Sequence, residues 1–186
     1  MDLPFHTLDV FTDRTFGGNP LGVFPDATHL PTELMQRIAL EMNLSETVFL
    51  GRPESDGDAR VRIFTPRREV PFAGHPTVGS AIFLATRLDP DARATVLSPD
   101  GSGEVTLVLE ENVGPVPVVV RFEKGRPVFA RFTTALLPEH RASPHSAAAL
   151  AAMVGLTEAD VGGTHHGRAL EPEMVSCGLA YFVIPT

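Results

Sequence analysis

The segment that most constrains the fold is an apolar stretch following a tight loop. Residues 71–79 read Pro-Phe-Ala-Gly-His-Pro-Thr-Val-Gly. Proline is excluded from central strands, and Pro76 suits the first position of a helix, where an N–H would have no partner. The apolar residues that follow point all round a helix rather than along one stripe: Val78, Ala81, Ile82, Phe83, Leu84, Ala85 and Leu88. Such a helix is normally buried on every side, so the sequence predicts a central helix from residue 76 to about 88.

The start of this helix predicts a site for an anion. The first N–H groups of a helix lack partners within it, and they lie at the positive end of the helix dipole. Gly74 would allow a sharp turn and a close approach by another molecule, and His75 lies at the same point. A simpler interpretation, in which Gly74-His75-Pro76 only caps the helix, stays open.

Short strands and turns account for most of the remaining chain. Alternating or apolar runs predict strands at 5–11, 21–24, 45–50, 59–64, 94–97, 104–110, 118–122, 127–132 and 175–185. Further helices are predicted at 31–42 and 146–154. Residues 94–97 and 104–110 are expected to form one hairpin, 118–122 and 127–132 a second, and 113–117 a linker or strand edge.

Composition excludes several classes of protein. The 186 residues are 43% hydrophobic, which supports a core in one large or two small domains. A net charge of −8 with scattered basic residues argues against nucleic-acid binding. No apolar run approaches the ~20 residues of a membrane span, and the N-terminus has no signal-peptide pattern, so a cytoplasmic protein is expected. Cys177 is the single cysteine, which excludes an internal disulfide, and it is expected to be buried and inert.

Two polar features have competing interpretations. Glu46 lies between the end of a predicted helix and an apolar strand, and from position alone a solvated turn residue is favoured over a catalytic one. The pair His165-His166 suggests a metal-dependent hydrolase, but adjacent side chains point to opposite sides. Because no other ligand lies at a suitable spacing, no metal site is expected.

Three motifs in order carry a resemblance to a known family. They are Phe-Gly-Gly-Asn-Pro at 16–20, Glu-Met-Asn-Leu-Ser-Glu-Thr-Val-Phe at 41–49, and the stretch at 71–79, with Ile-Phe-Thr-Pro at 63–66 between the last two. Together they resemble the PhzF-like family of phenazine-biosynthesis isomerases and their epimerase-related relatives. The resemblance is strong over residues 9–88 and loose beyond them.

The resemblance implies an α+β fold like that of diaminopimelate epimerase, in which each of two domains is a strand barrel wrapped round a central helix. Residues 1–115 would form the first domain. Residues 116–186 would form a crossing segment and the start of an incomplete second domain.

The resemblance also implies cofactor-independent proton transfer at a carbon atom of a small carboxylate-bearing metabolite, with no metal. Glu46 would be the acid/base residue, and Ser45, Gly74 and His75 would bind the substrate. A single group that removes and returns a proton must act as base and then as acid, and a carboxylate shielded from water suits that task. The helix N–H groups could hold a substrate carboxylate or a developing enolate. Asn19 is expected to shape a turn rather than to contact substrate.

The family's chains are longer than this one. Their second domain supplies an aspartate and a Gly-Ser loop, and a strand from the far C-terminus closes their first barrel, and none of these is present in these residues. Because unpaired strand edges tend to associate, we expect a homodimer or association with a complementing C-terminal fragment. The competing function is a catalytically incomplete binding or interaction protein that keeps the anion site.

Overall fold

The computed structural model describes residues 2–91 and 96–186. The chain forms two compact units, Met1–Ala135 and Leu136–Thr186. Among the described residues, no helix is long and apolar enough to cross a membrane.

The first unit is built on one curled sheet and two helices. The strands are β1 (His6–Val10), β2 (Asn19–Phe24), β3 (Glu46–Gly51), β4 (Ala59–Phe64), β5 (Glu69–Val70), β6 (Gly103–Glu111), β7 (Gly114–Glu123) and β8 (Arg126–Phe132). The helices are α1 (Thr32–Met42) and α2 (Gly74–Thr86). The strand order is β1-β2-β3-β4-β6-β7-β8, and β5 pairs with β4. Strands β2 and β3 are parallel, as are β4 and β6, and the other pairs are antiparallel.

Helix α2 lies inside the curl of this sheet. It contacts six of the strands: β1, β2, β3, β6, β7 and β8. Ala81 and Ala85 lie on one side of the helix and Phe83 on the opposite side, yet the two alanines are fully buried and Phe83 is almost so. The predicted fold class is therefore confirmed: the protein is α+β, with strands wrapped round a central helix.

The predicted start of the central helix was wrong by two residues. Ala73 is the N-cap, so Gly74 and His75 form the first turn and Pro76 is the third helical residue. Proline is tolerated there because none of the first few N–H groups of a helix has a partner within it. The shift matters because it makes Gly74 and His75 part of a rigid helix rather than of a loop.

Helix α1 covers the opposite face of the sheet with a second, aromatic core. Its Met35 and Ala39 pack with Phe24, Phe49 and Phe64. The Phe49 ring stacks on Phe24 with centroids 4.9 Å apart and meets Phe64 edge-on at 5.4 Å. This core fixes β3, the strand that begins with Glu46.

Two predictions about the strands after α2 need correction. The predicted strand at 94–97 lies partly outside the described residues, and its described part, Val96 and Leu97, forms a turn and a bend. The predicted linker at 113–117 is instead part of β7, despite Pro115 and Pro117. Strand β8 pairs only with residues 118–123, so both prolines lie where β7 has a single neighbour.

The hairpin predicted over 118–132 is confirmed as β7 and β8. Because these strands continue the first sheet, residues 116–135 belong to the first unit. The sequence predicted a domain boundary after residue 115, whereas the boundary between the two compact units of the structure falls after Ala135.

The second unit contains short elements. They are β9 (Glu139–Ala142), α3 (Ala147–Met153), a 3-10 turn (Glu158–Asp160), β10 (Gly163–His165), β11 (Arg168–Leu170), β12 (Glu173–Ser176) and β13 (Ala180–Val183). Strands β9, β12 and β13 form one sheet, and β10 pairs with β11. The single strand predicted at 175–185 was wrong, because the chain reverses at Gly178 with a φ of 115° and β12 pairs with β13.

Replacing Gly18 by alanine is expected to lower the free energy of unfolding by about 1–3 kcal/mol, as overpacking does. A Cβ there would collide with the backbone oxygen of Val10 and lie 2.6 Å from Thr12 Cγ2. The matched control is Gly17→Ala, whose Cβ would come no closer than 3.0 Å to any neighbour and is expected to cost less. Urea unfolding of both variants tests this, and a Gly18→Ala variant as stable as the parent would contradict it.

Candidate active site

The structure brings Glu46 and His75 together. Glu46 Oε2 lies 3.5 Å from His75 Nδ1, with 21% of the Glu46 side chain and 7% of the His75 side chain exposed. At that separation the two groups are adjacent but do not form a good hydrogen bond. The carboxylate is thus partly shielded and faces the first turn of the central helix.

Local structure explains why Glu46 lies there. Helix α1 ends at Met42, and its C-cap, Asn43, adopts a left-handed conformation with φ 50° and donates its N–H to Ala39 O. Asparagine tolerates that conformation, and it redirects the chain into β3. Strand β3 then pairs with β2, with Glu46 opposite Leu21, and this places the start of β3 beside α2.

Ser45 and Asn19 lie side by side next to this pair. The Ser45 hydroxyl donates to Asn19 Oδ1 at 3.3 Å. Asn19 is the first residue of β2, and its side chain therefore joins the group around Glu46 rather than only shaping a turn. The one signal for this in the sequence was that Asn19 stands in one of the three motifs.

His75 is held in its neutral form by its surroundings. The residue is 8% exposed, and this burial lowers its pKa below 6.5, while the charge of Glu46 and a hydrogen bond with the Pro20 backbone act in the opposite direction. Among the described residues, nothing hydrogen-bonds its buried Nε2 atom. A neutral imidazole with one unused ring nitrogen can donate or accept one further hydrogen bond.

We expect His75 to titrate below pH 6.5 in the folded protein. Because its folded-state pKa is depressed, its contribution to stability is present at neutral pH and is lost as the pH falls through the folded-state pKa. Ring NMR signals, assigned with a His75→Asn variant, measure the titration directly. An inflection above pH 6.5 would contradict the burial argument.

The N-terminus of α2 offers unbonded N–H groups beside the pair. Among residues 2–91 and 96–186, no side chain caps the helix; Pro76 has no N–H, and the Thr77 N–H bonds to Ala73 O. The Gly74 and His75 N–H groups therefore have no acceptor within the helix. Gly74 does not have a positive φ, so a sharp turn does not explain it. A Cβ there would meet Phe132 at 3.9 Å and nothing nearer among the described residues.

The histidine pair singled out in the sequence lies in the second unit. His165 ends β10, and its ring lies 4.3 Å from that of His166, measured between centroids. Within residues 2–91 and 96–186, no three or more His, Cys, Asp or Glu side chains are grouped to hold a metal ion.

Comparison with known proteins identifies the family. Residues 8–186 match the family model of phenazine biosynthesis-like proteins. The chain is 43% identical over 178 residues to an uncharacterised isomerase of Mesorhizobium japonicum, an alignment that covers 95% of this chain and 54% of that protein. It is 45% identical over 121 residues to trans-2,3-dihydro-3-hydroxyanthranilate isomerase of Pseudomonas aeruginosa, covering 65% of this chain and 38% of the isomerase.

Solved structures agree with this result. A predicted epimerase from Pseudomonas aeruginosa superimposes with a TM-score of 0.77 at 29% identity, over 99% of this chain and 59% of the other. A PhzF-family phenazine biosynthesis protein of Bacillus anthracis gives 0.70 at 28% identity, over 98% and 55%. The fold is thus that of isomerases and epimerases of this kind. The chain belongs to the phenazine biosynthesis-like family. It spans 54% of the Mesorhizobium japonicum isomerase, and 55% and 59% of the Bacillus anthracis and Pseudomonas aeruginosa structures.

Proposed function

We propose that this chain supplies the acid/base site of a cofactor-independent isomerase or epimerase that moves a proton at carbon in a small carboxylate-bearing metabolite. The observation that carries the proposal is the position of Glu46. Its carboxylate lies 3.5 Å from the ring of a buried histidine in the first turn of the central helix.

Each group has a defined task in this proposal. Glu46 removes a proton from the substrate carbon and returns it at the same or a neighbouring carbon, acting first as base and then as acid. The N–H groups of Gly74 and His75 bind the substrate carboxylate or the enolate that develops during transfer. The neutral His75 ring presents Nδ1, the atom that faces Glu46, to the substrate without adding charge to the site, since its Nε2 atom is buried. Ser45, whose hydroxyl is hydrogen-bonded to Asn19, contacts the substrate and orients it.

The substrate class follows from the anion site and the relatives. An anion site at α2 favours a metabolite with a carboxylate, and the named isomerase relative acts on trans-2,3-dihydro-3-hydroxyanthranilate. That compound is therefore the first substrate to test. Incubation with this chain in D₂O is expected to place deuterium on a ring carbon, which NMR detects directly.

The alternative function is a binding protein that keeps the anion site without turnover. The observation that favours it is that the N–H groups of Gly74 and His75, which would bind the anion, both belong to the first unit. A binding protein would retain the test substrate in calorimetry but would introduce no deuterium. Binding together with deuterium entry rules it out.

We also propose that the curled sheet associates through its edges. In the described part of the sheet, the strand order runs from β1 at one end to β8 at the other. A cavity of 590 Å³ lies between them, lined by apolar residues that include Leu8, Val78, Ile82 and Val128. A homodimer or a complementing C-terminal fragment would cover these edges. Light scattering distinguishes a dimer from a monomer.

The cytoplasmic location stays a prediction from the sequence.

A further inference from the structure

Glu111 is a buried acid that the proposed mechanism does not use. It is the last residue of β6 and is 5% exposed. Its Oε1 atom lies 2.6 Å from the hydroxyl of Thr77, a fully buried residue of α2. Its Oε2 atom has no hydrogen-bond partner among the described residues. A buried carboxyl with one polar neighbour is costly in its charged form.

The hydrogen bonds of Thr77 indicate which form of Glu111 completes the network. Thr77 Oγ1 lies 2.8 Å from Ala73 O as well as 2.6 Å from Glu111. A hydroxyl has one hydrogen, and a carbonyl oxygen has none to offer. Both bonds form together only when Glu111 is protonated and donates to Thr77, which then donates to Ala73.

The turn between β6 and β7, which follows Glu111, also holds the segment that precedes α2. Ala73 is the N-cap of α2, and the N–H of Val113, just beyond Glu111, donates to Pro71 O at 3.0 Å. The β6–β7 turn is thus hydrogen-bonded on both sides of Phe72. Gly74 and His75 follow directly, so their position depends on these two attachments.

We propose that Glu111 is a positioning residue: in its acid form it holds the first turn of α2 through Thr77, and thereby fixes Gly74 and His75. Its effect on turnover rests on the function proposed above, whereas its effect on the helix does not. When Glu111 loses its proton, the Thr77 hydroxyl turns to the carboxylate, and Ala73 O keeps only the Thr77 N–H, at 3.2 Å.

The groups around Glu111 favour loss of its proton near neutral pH. Burial raises the pKa of Glu111 to about 7, while the bond from Thr77 and the charge of Arg60 on β4 act in the opposite direction. Arg60 itself hydrogen-bonds Asn112 and Glu110 O. Asn112 also donates to Glu69 of β5, which is paired with Arg62.

The test measures hydrogen exchange at the amide of residue 77, corrected for the intrinsic effect of pH, between pH 6 and 8. It compares the parent protein, Glu111→Gln and Thr77→Val. In the parent, exchange is expected to rise about tenfold, the equivalent of one hydrogen bond. Glu111→Gln keeps a donor toward Thr77 at every pH, so its exchange stays slow throughout. Thr77→Val removes the link, so its exchange is fast throughout.

The matched control is Glu110→Gln. The Glu110 carboxylate accepts hydrogen bonds from the N–H groups of residues 54, 55 and 57 and makes none with α2 among the described residues, so Glu110→Gln keeps the pH response of the parent. Equal pH responses in the parent and Glu111→Gln would overturn the proposal. The amide result is independent of turnover: if the parent protein itself does not exchange substrate hydrogen while the amide results hold, the proposed function fails and the positioning role stands.

Discussion

Glu46→Gln is expected to slow hydrogen exchange on the substrate by about 10³-fold, the middle of the range for loss of a general acid or base. Glutamine has almost the same shape as glutamate but cannot take up a proton from carbon. Because the α2 N-terminus is unchanged, substrate binding should persist. Deuterium entry followed by NMR gives the rate, and calorimetry gives the affinity.

The control for this variant is Glu41→Gln. Glu41 is an exposed residue near the end of α1, so its replacement removes the same charge from the same part of the chain without touching the site. It should exchange substrate hydrogen at the parent rate. Equal rates for Glu46→Gln and Glu41→Gln would show that the carboxylate at position 46 is not the acid/base group.

Phe49→Ala is expected to lower the free energy of unfolding by about 3–5 kcal/mol, as large-to-small changes of buried aromatic residues do. Phe49 is 1% exposed and contacts both Phe24 and Phe64, so its loss opens a cavity in the core under α1. Since Glu46 lies three residues earlier on the same strand, activity should fall with the folded fraction. Urea unfolding monitored by circular dichroism measures the change.

Phe16→Ala is the matched control for the stability measurement. The Phe16 side chain is 94% exposed, so its removal should change the free energy of unfolding by no more than about 0.5 kcal/mol. A loss at Phe16 as large as that at Phe49 would contradict the assignment of the core.

The sequence predicted the centre of the fold because that part depends on local pattern. A helix that is apolar on all sides can only be buried, and α2 is enclosed by strands as expected. The motifs also singled out Glu46 and His75 as candidate site residues, although their 3.5 Å separation depends on how β3 packs beside α2. The distance between two segments cannot be deduced from the pattern of residues within either one.

The features that the sequence missed depend on long-range contacts. Pro115 and Pro117 indicated a linker, but pairing with β6 overrides the local preference. Glu111 lies just beyond the strand predicted at 104–110, and only the fold shows that its side chain is buried against Thr77. The turn at Gly178 was missed because apolar residues flank it on both sides, and the run was interpreted as one strand.

The most direct test of the central claim is solvent deuterium incorporation into trans-2,3-dihydro-3-hydroxyanthranilate, measured for this chain and for Glu46→Gln in the same experiment. The account predicts deuterium at a ring carbon with the parent protein and about 10³-fold slower entry with the variant. Bound substrate that gains no deuterium, or gains it equally fast in both proteins, would contradict it.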